Sequence, residues 1–203
     1  MIPSISSLPG YQEYEYLLII NPPTDLQNRI LKIRQELADK YKLPPTKSTK
    51  AYIPLLKFIT PGMMEERIVQ RLQLIAMGAA PFKVELKDYG SFPSHTLYIN
   101  VSTRLPIQKL VKELRQVQPL LKASPHHTPY FMEQPFVAIA QKLKPWQYQK
   151  SWLEYSHRHF TARFIADSML LLKRIDNTKA WQIVKRFEFM NLPVTTKQGE
   201  LFM

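Results

Sequence analysis

Apolar positions along this chain follow two rhythms, one of period two and one near 3.6. The switches between them fall at proline, glycine and asparagine. Tyr14 to Ile20 is an apolar run ending at Asn21-Pro22-Pro23, which predicts a strand and a turn. Thr24-x-x-Gln27 is a capping-box pattern. Leu26, Ile30, Ile33 and Leu37 then form one helical stripe that fades near Tyr41, before a loop at Leu43-Pro44-Pro45. Tyr52 to Ile59 predicts a second strand. Thr60-Pro61 offers an N-cap and a first-turn proline for a helix carrying Ile68, Leu72 and Ile75, ending near Gly78.

Phe82, Val84 and Leu86 alternate with charged residues, giving a half-exposed strand. Gly90 to Ser94 turns the chain, and Thr96 to Val101 pairs back. Pro106 opens a helix bearing Ile107, Leu110, Val111, Leu114 and Val117. Leu120 to Gln134 is a proline-punctuated loop, Phe136 to Ala140 a short buried strand, and Pro145 the start of a helix bearing Tyr148, Trp152 and Tyr155. Phe160 to Ala166 alternates, and Met169 to Lys173 pairs with Trp181 to Phe189 around Asp176-Asn177. The fold class is therefore α+β, with mixed or antiparallel sheets and helices packed outside. The strands from Tyr52 and Phe136 each end shortly before a helix that starts at proline, a hint of two quasi-equivalent lobes. Residues 13–190 form one unit, between tails at 1–12 and 191–203.

The 203 residues are 45% hydrophobic and 22% charged, enough apolar material for a real core. No run approaches the ~20 apolar residues of a membrane span, and the N-terminus lacks a signal-peptide pattern. No membrane is among the expected partners. The chain has no cysteine, which excludes disulfides and thiolate chemistry and fits the reducing cytoplasm expected as its location. The net charge of +12 favours polyanion partners such as RNA, nucleotides or an acidic membrane surface, beside the plainer reading of a solvated lysine-rich surface; of these, RNA or a nucleotide is the expected partner. The basic residues form no dense tract; only Lys40, Lys42, Lys47 and Lys50 gather loosely. No protein partner can be named.

Across nearly its whole length the chain resembles the 2H phosphoesterases, the superfamily of bacterial 2′-5′ RNA ligase-like proteins and cyclic nucleotide phosphodiesterases. Tyr16 to Pro22 is similar to the family's first strand and turn. Lys50 to Phe58 is similar to its first motif strand, and Pro135 to Leu143 to its second. Phe164 to Phe189 resembles the last strands. The resemblance implies a two-lobed fold in which each lobe sends a strand with His-x-Thr into a shared cleft. Here the diagnostic letters differ: Tyr52 and Pro54 stand at the first His and Thr, Phe136 and Ala138 at the second. In the family reaction one imidazole takes a proton, the other gives one, and the hydroxyls help hold phosphate. Imidazole suits this because its pKa lies near 6.5, whereas tyrosine titrates near 10 and phenylalanine not at all. Losing both groups, each worth ~10²–10⁴-fold, should silence that chemistry. The expectation is a cleft without catalytic residues that binds nucleotide or RNA through Tyr52, Lys57, Tyr130, Phe136 and Lys142, without cofactor or metal.

Two alternatives stand beside it. His126-His127-Thr128 is a literal His-x-Thr, so His126 and Thr128, with His127 or His95, could support displaced phosphodiesterase or RNA ligase activity. The flanking Pro125 and Pro129 suit a polar loop better than a buried strand. The other alternative is a closed groove in a structural or protein-binding module. His157-x-His159 would place two imidazoles on one face of an extended segment, but a solvated turn is the simpler reading.

Overall fold

Tyr16, Leu18 and Ile20 face one way along the first strand, and Glu15, Leu17 and Ile19 the other; all six are buried. A strand buried on both faces belongs at the centre of a sheet, and the computed structural model places it there. It describes residues 11–43, 50–121, 127–175 and 180–193. In chain order the elements are β1 (Glu13–Ile20), α1 (Thr24–Tyr41), β2 (Ile53–Pro61), α2 (Glu65–Gly78), β3 (Phe82–Phe92), β4 (Thr96–Val101), α3 (Leu105–Leu114), α4 (Gln118–Leu121), β5 (Tyr130–Phe131), β6 (Phe136–Gln141), α5 (Pro145–Tyr155), β7 (Thr161–Ala166), β8 (Ser168–Arg174) and β9 (Gln182–Glu188).

Among the described residues the strands form two sheets, ordered β5-β2-β1-β8-β9 and β6-β4-β3-β7. All paired strands are antiparallel. The protein is thus an α+β, two-lobed structure. Helices α2 and α3 cover the first sheet, while α1 and α5 pack against β6 and β4 of the second. The tie between α2 and the first sheet is polar as well: the Tyr16 hydroxyl donates to Glu65 Oε2 at 2.9 Å, and Lys173 Nζ reaches the same oxygen at 2.8 Å. Burial pushes the Tyr16 phenol far above its usual range, and the Glu65 carboxylate adds to the rise.

Several boundaries differ from expectation. Thr60-Pro61 does not cap a helix. Pairing with β1 runs on to Glu13↔Pro61, and a 3₁₀ turn at Gly62–Met64 precedes α2. Thr60 Oγ1 is buried without a hydrogen-bond partner, so it caps nothing. Strand β3 continues to Phe92 across a bulge between Leu86 and Tyr89, where Asp88 takes φ 56°. Tyr130–Phe131, expected as loop, pairs with β2. At α1, Thr24 is the first helical residue and Pro23 the N-cap; Gln27 still reaches back, donating to Asn21 Oδ1 at 2.9 Å and the Pro22 carbonyl at 2.7 Å. Past β9, the amides of Met190, Asn191 and Leu192 donate to the carbonyls of Ala76, Ala79 and Met77, satisfying the C-terminal end of α2. Residues 1–10 and 194–203 of the expected tails, and the Asp176-Asn177 turn, lie outside the described residues.

Candidate functional site between the two sheets

Strands β2 and β6 approach each other where the two sheets meet, so the four positions singled out by the sequence belong to one region. Pro54 lies in β2 opposite Ile19, after a bulge that makes Leu55 the extra residue, and Tyr52 immediately precedes the strand. Phe136 and Ala138 lie in β6, opposite Asn100 and Tyr98. Pro54 is buried; Tyr52, Phe136 and Ala138 are half-buried.

Arg34, from α1, ties β6 to the segment that leads into β2. Its Nε and Nη2 donate to the Ala138 carbonyl at 3.2 and 2.6 Å, and its Nη1 donates to the Lys50 carbonyl at 3.2 Å. Arg34 is 8% exposed. Burial pulls its pKa down, and a nearby Tyr52 phenolate would oppose that. Burial raises the Tyr52 phenol in turn, while the Arg34 and Arg174 guanidiniums pull it back. A phenol held above its ordinary value is a still poorer base at neutral pH. The helical stripe of α1 marked Ile30, Ile33 and Leu37 as apolar but gave no sign that Arg34, one position past Ile33, points inward.

On the β6 side the lining is aromatic. Phe92, Tyr98 and Phe136 form a closed triangle with ring centroids 4.6, 5.1 and 5.3 Å apart. Gly90 lets Tyr98 lie flat over β3: a Cβ there would sit 2.5 Å from Tyr98 Cε2. Tyr98 and Phe92 were not anticipated; the period-two pattern identified β4 as a strand but not which face the second sheet turns to the first.

On the β2 side the lining is charged. Glu15 sits between Lys57 Nζ at 2.6 Å and Arg174 Nε at 2.5 Å. Burial pushes the Glu15 carboxyl up, but hydrogen bonds from Arg174 and Lys57 hold it below the usual carboxylate range. Arg174 also lies 4.3 Å over the Trp181 ring. Beyond Lys57 a shallow pocket of about 270 Å³ is lined by Glu13, Tyr14, Glu15, Lys57, Ile59, His127 and Ile175. His127 Nε2 stands 3.9 Å from Glu13 Oε2.

The structure thus brings Tyr52, Pro54, Phe136 and Ala138 to one region and places Lys57 beside it. Tyr130, paired with Lys57, is 61% exposed. Lys142 lies past the far end of β6, with φ 56° and an exposed side chain, away from Phe136 at the start of that strand. Thr128 is exposed. His126 lies outside the described residues. His95 is exposed in the β3–β4 turn. Ser156 and His157 form a turn after α5, and the two histidines find separate partners: His157 Nδ1 meets the Leu153 carbonyl at 2.9 Å and His159 Nδ1 meets Asp88 Oδ1 at 3.2 Å. Among the described residues no group of three histidine, aspartate or glutamate side chains is placed to hold a metal ion, and no helix is long and apolar enough to cross a membrane.

Comparison with solved structures gives the same fold. Escherichia coli LigT, solved with 3′-AMP, aligns over 88% of this chain and 98% of its own, with TM-score 0.61 and 11% identity. LigT has also been solved with phosphate, NADP⁺ and ATP. The Thermus thermophilus protein TT0787 aligns over 87% of this chain and 98% of its own, with TM-score 0.59 and 13% identity. Comparison with curated protein sequences yields no match. The model of the 2′-5′ RNA ligase superfamily matches residues 22–178, and with that match spanning most of the chain, the protein belongs to this superfamily.

Proposed function

We propose that this protein is a catalytically silent member of the superfamily that holds a nucleotide or an RNA phosphate between its two sheets. The observation that carries this reading is the chemistry of four residues in one region. Tyr52 and Phe136 stand where two imidazoles would be needed, and Pro54 and Ala138 where two hydroxyls would be. None of the four moves a proton at neutral pH. What remains suits binding. The Phe92–Tyr98–Phe136 triangle offers half-exposed ring surface for a base, and stacking of this kind is worth about 1–3 kcal/mol per base. Lys57 and Arg174 share one carboxylate, so a phosphate would meet net positive charge while competing with Glu15. LigT has been solved with 3′-AMP, phosphate and ATP, which makes these natural probes.

The test pairs titration calorimetry of 3′-AMP, ATP and a short RNA with an assay on 2′,3′-cyclic nucleotides and 2′-5′-linked dinucleotides. Saturable, salt-sensitive binding without turnover is the expected result. Hydrolysis that follows the protein through purification would sink the proposal.

One observation favours a second reading, displaced catalysis. His127 shares its pocket with Lys57 and lies near Glu13, so an imidazole, a carboxylate and an ammonium meet at one opening. Under this reading the same substrates are turned over, and His127→Gln abolishes the activity while Phe136→Leu does not.

A further inference from the structure

Helix α5 buries polar residues beside its aromatic ones and leaves large apolar ones outside. Gln147, Ser151 and Tyr155, at i, i+4 and i+8, are its buried residues. Both polar ones are satisfied there: Gln147 Nε2 donates to the Tyr41 carbonyl at 2.9 Å, and Ser151 Oγ donates to the Gln147 carbonyl at 2.6 Å. The opposite stripe, at i, i+4 and i+7, is Trp146, Lys150 and Leu153. Trp146 is 46% exposed and Leu153 70% exposed. Lys142 and Lys144, both exposed, lead into the helix and form no ion pair among the described residues. The contact of Lys150 is the Trp146 ring, 5.9 Å from its Nζ. The helix's carboxylate, Glu154, is already taken by Lys40, Tyr41 and Arg158. The stripe therefore presents two large apolar side chains and one lysine, and two further exposed lysines, Lys142 and Lys144, stand just before the helix that carries it. It lies on the outer side of the second sheet, away from the cleft.

We infer that this stripe is a docking surface for a membrane face rich in acidic lipid headgroups. A tryptophan and a leucine on one stripe insert at the headgroup boundary while lysines on long stems meet the phosphates. A peripheral contact of this kind needs no spanning segment, so the lack of one does not bear on it. Charge complementarity excludes a second copy as the natural occupant, since it would bring the same lysines and another +12 to the interface. Single-stranded RNA would use Trp146 and the lysines but has no role for Leu153.

The experiment is co-sedimentation of the full chain with phosphatidylcholine vesicles, with and without phosphatidylserine, at low and high salt. Retention is expected only with phosphatidylserine and to be lost at high salt. W146S/L153S should lower retention at least about tenfold, and each of K142Q, K144Q and K150Q roughly fivefold. K109Q/K112Q, on exposed positions of α3, should matter much less and controls for overall charge. All these side chains are exposed, and unchanged circular dichroism confirms folding. Equal retention by both vesicle types, no retention by either, or retention that W146S/L153S leaves intact each overturns the proposal. Binding to RNA through this stripe, without vesicle binding, assigns it to nucleic acid instead.

Discussion

The carbonyl of Ala138 in β6 accepts two hydrogen bonds from the guanidinium of Arg34 in α1, and the same guanidinium donates to Lys50 just before β2. One buried cation thus joins β6 to the segment that leads through Tyr52 into β2. Arg34→Met would leave two carbonyls short of donors in a largely dry place. The expected loss is about 2–4 kcal/mol in urea unfolding. Arg34→Lys should recover less than half, because an ammonium lacks the fork that reaches both carbonyls. A loss below about 0.5 kcal/mol for the methionine variant would show that the bridge contributes little.

Glu15 lends itself to a pH test. Its folded-state pKa lies below the unfolded value, so the ionised carboxylate contributes fully above the unfolded pKa. That contribution disappears as pH falls through the folded value. Glu15→Gln should therefore cost about 1–3 kcal/mol at neutral pH. The gap between wild type and variant should close as pH drops below 4.5, the ordinary value of the group. Unfolding curves at several pH values measure it; a gap independent of pH would contradict the ion-triad account.

Gly90→Ala probes the aromatic lining. The added Cβ would meet Tyr98 Cε2 at 2.5 Å, Tyr98 Cζ at 2.7 Å and Asn100 Oδ1 at 2.8 Å. Tyr98 must then move, and with it the packing on Phe92 and Phe136. A loss of about 1–3 kcal/mol is expected, with a change in near-ultraviolet circular dichroism from the displaced rings. An unaltered spectrum and midpoint would mean that Tyr98 is free to shift.

The proposed silence is tested by placing histidine and threonine at the four positions. The variant Y52H/P54T/F136H/A138T returns two imidazoles and two hydroxyls to the strand positions. If geometry has been kept, hydrolysis of a 2′,3′-cyclic nucleotide should rise at least about a hundredfold over wild type, given ~10²–10⁴-fold per acid–base group. No gain in a folded variant would mean that the spacing between the strands has changed along with the residues.

Continuous apolar runs were enough to locate β1 and β6, because a strand buried on both faces needs apolar residues throughout, and helical periodicity located the stripes of α1 and α2, because burial of one face imposes its period on a segment. The pattern failed at Thr60-Pro61 for a local reason: the same two letters serve as helix start and strand end, and pairing with Glu13 and Tyr14 decides between them. It failed at Tyr130–Phe131 because two residues are too few to show a period. It failed at Asp88, where the bulge is set by the partner strand β4.

The site divides the same way. By itself the sequence determined the residue chemistry, and so that Tyr52 and Phe136 bring no imidazole; residue chemistry needs no coordinates. Only the tertiary structure decided what surrounds them. Arg34 reads as one more charge on an amphipathic helix, and its inward course depends on two carbonyls contributed from residues 16 and 104 positions away. Glu15 and Arg174 are cross-strand partners on the neighbouring β1 and β8, 159 positions apart in the chain. Contacts at such separations arise when strands distant in sequence pair or helices pack on them, and no local period records which residues will then meet.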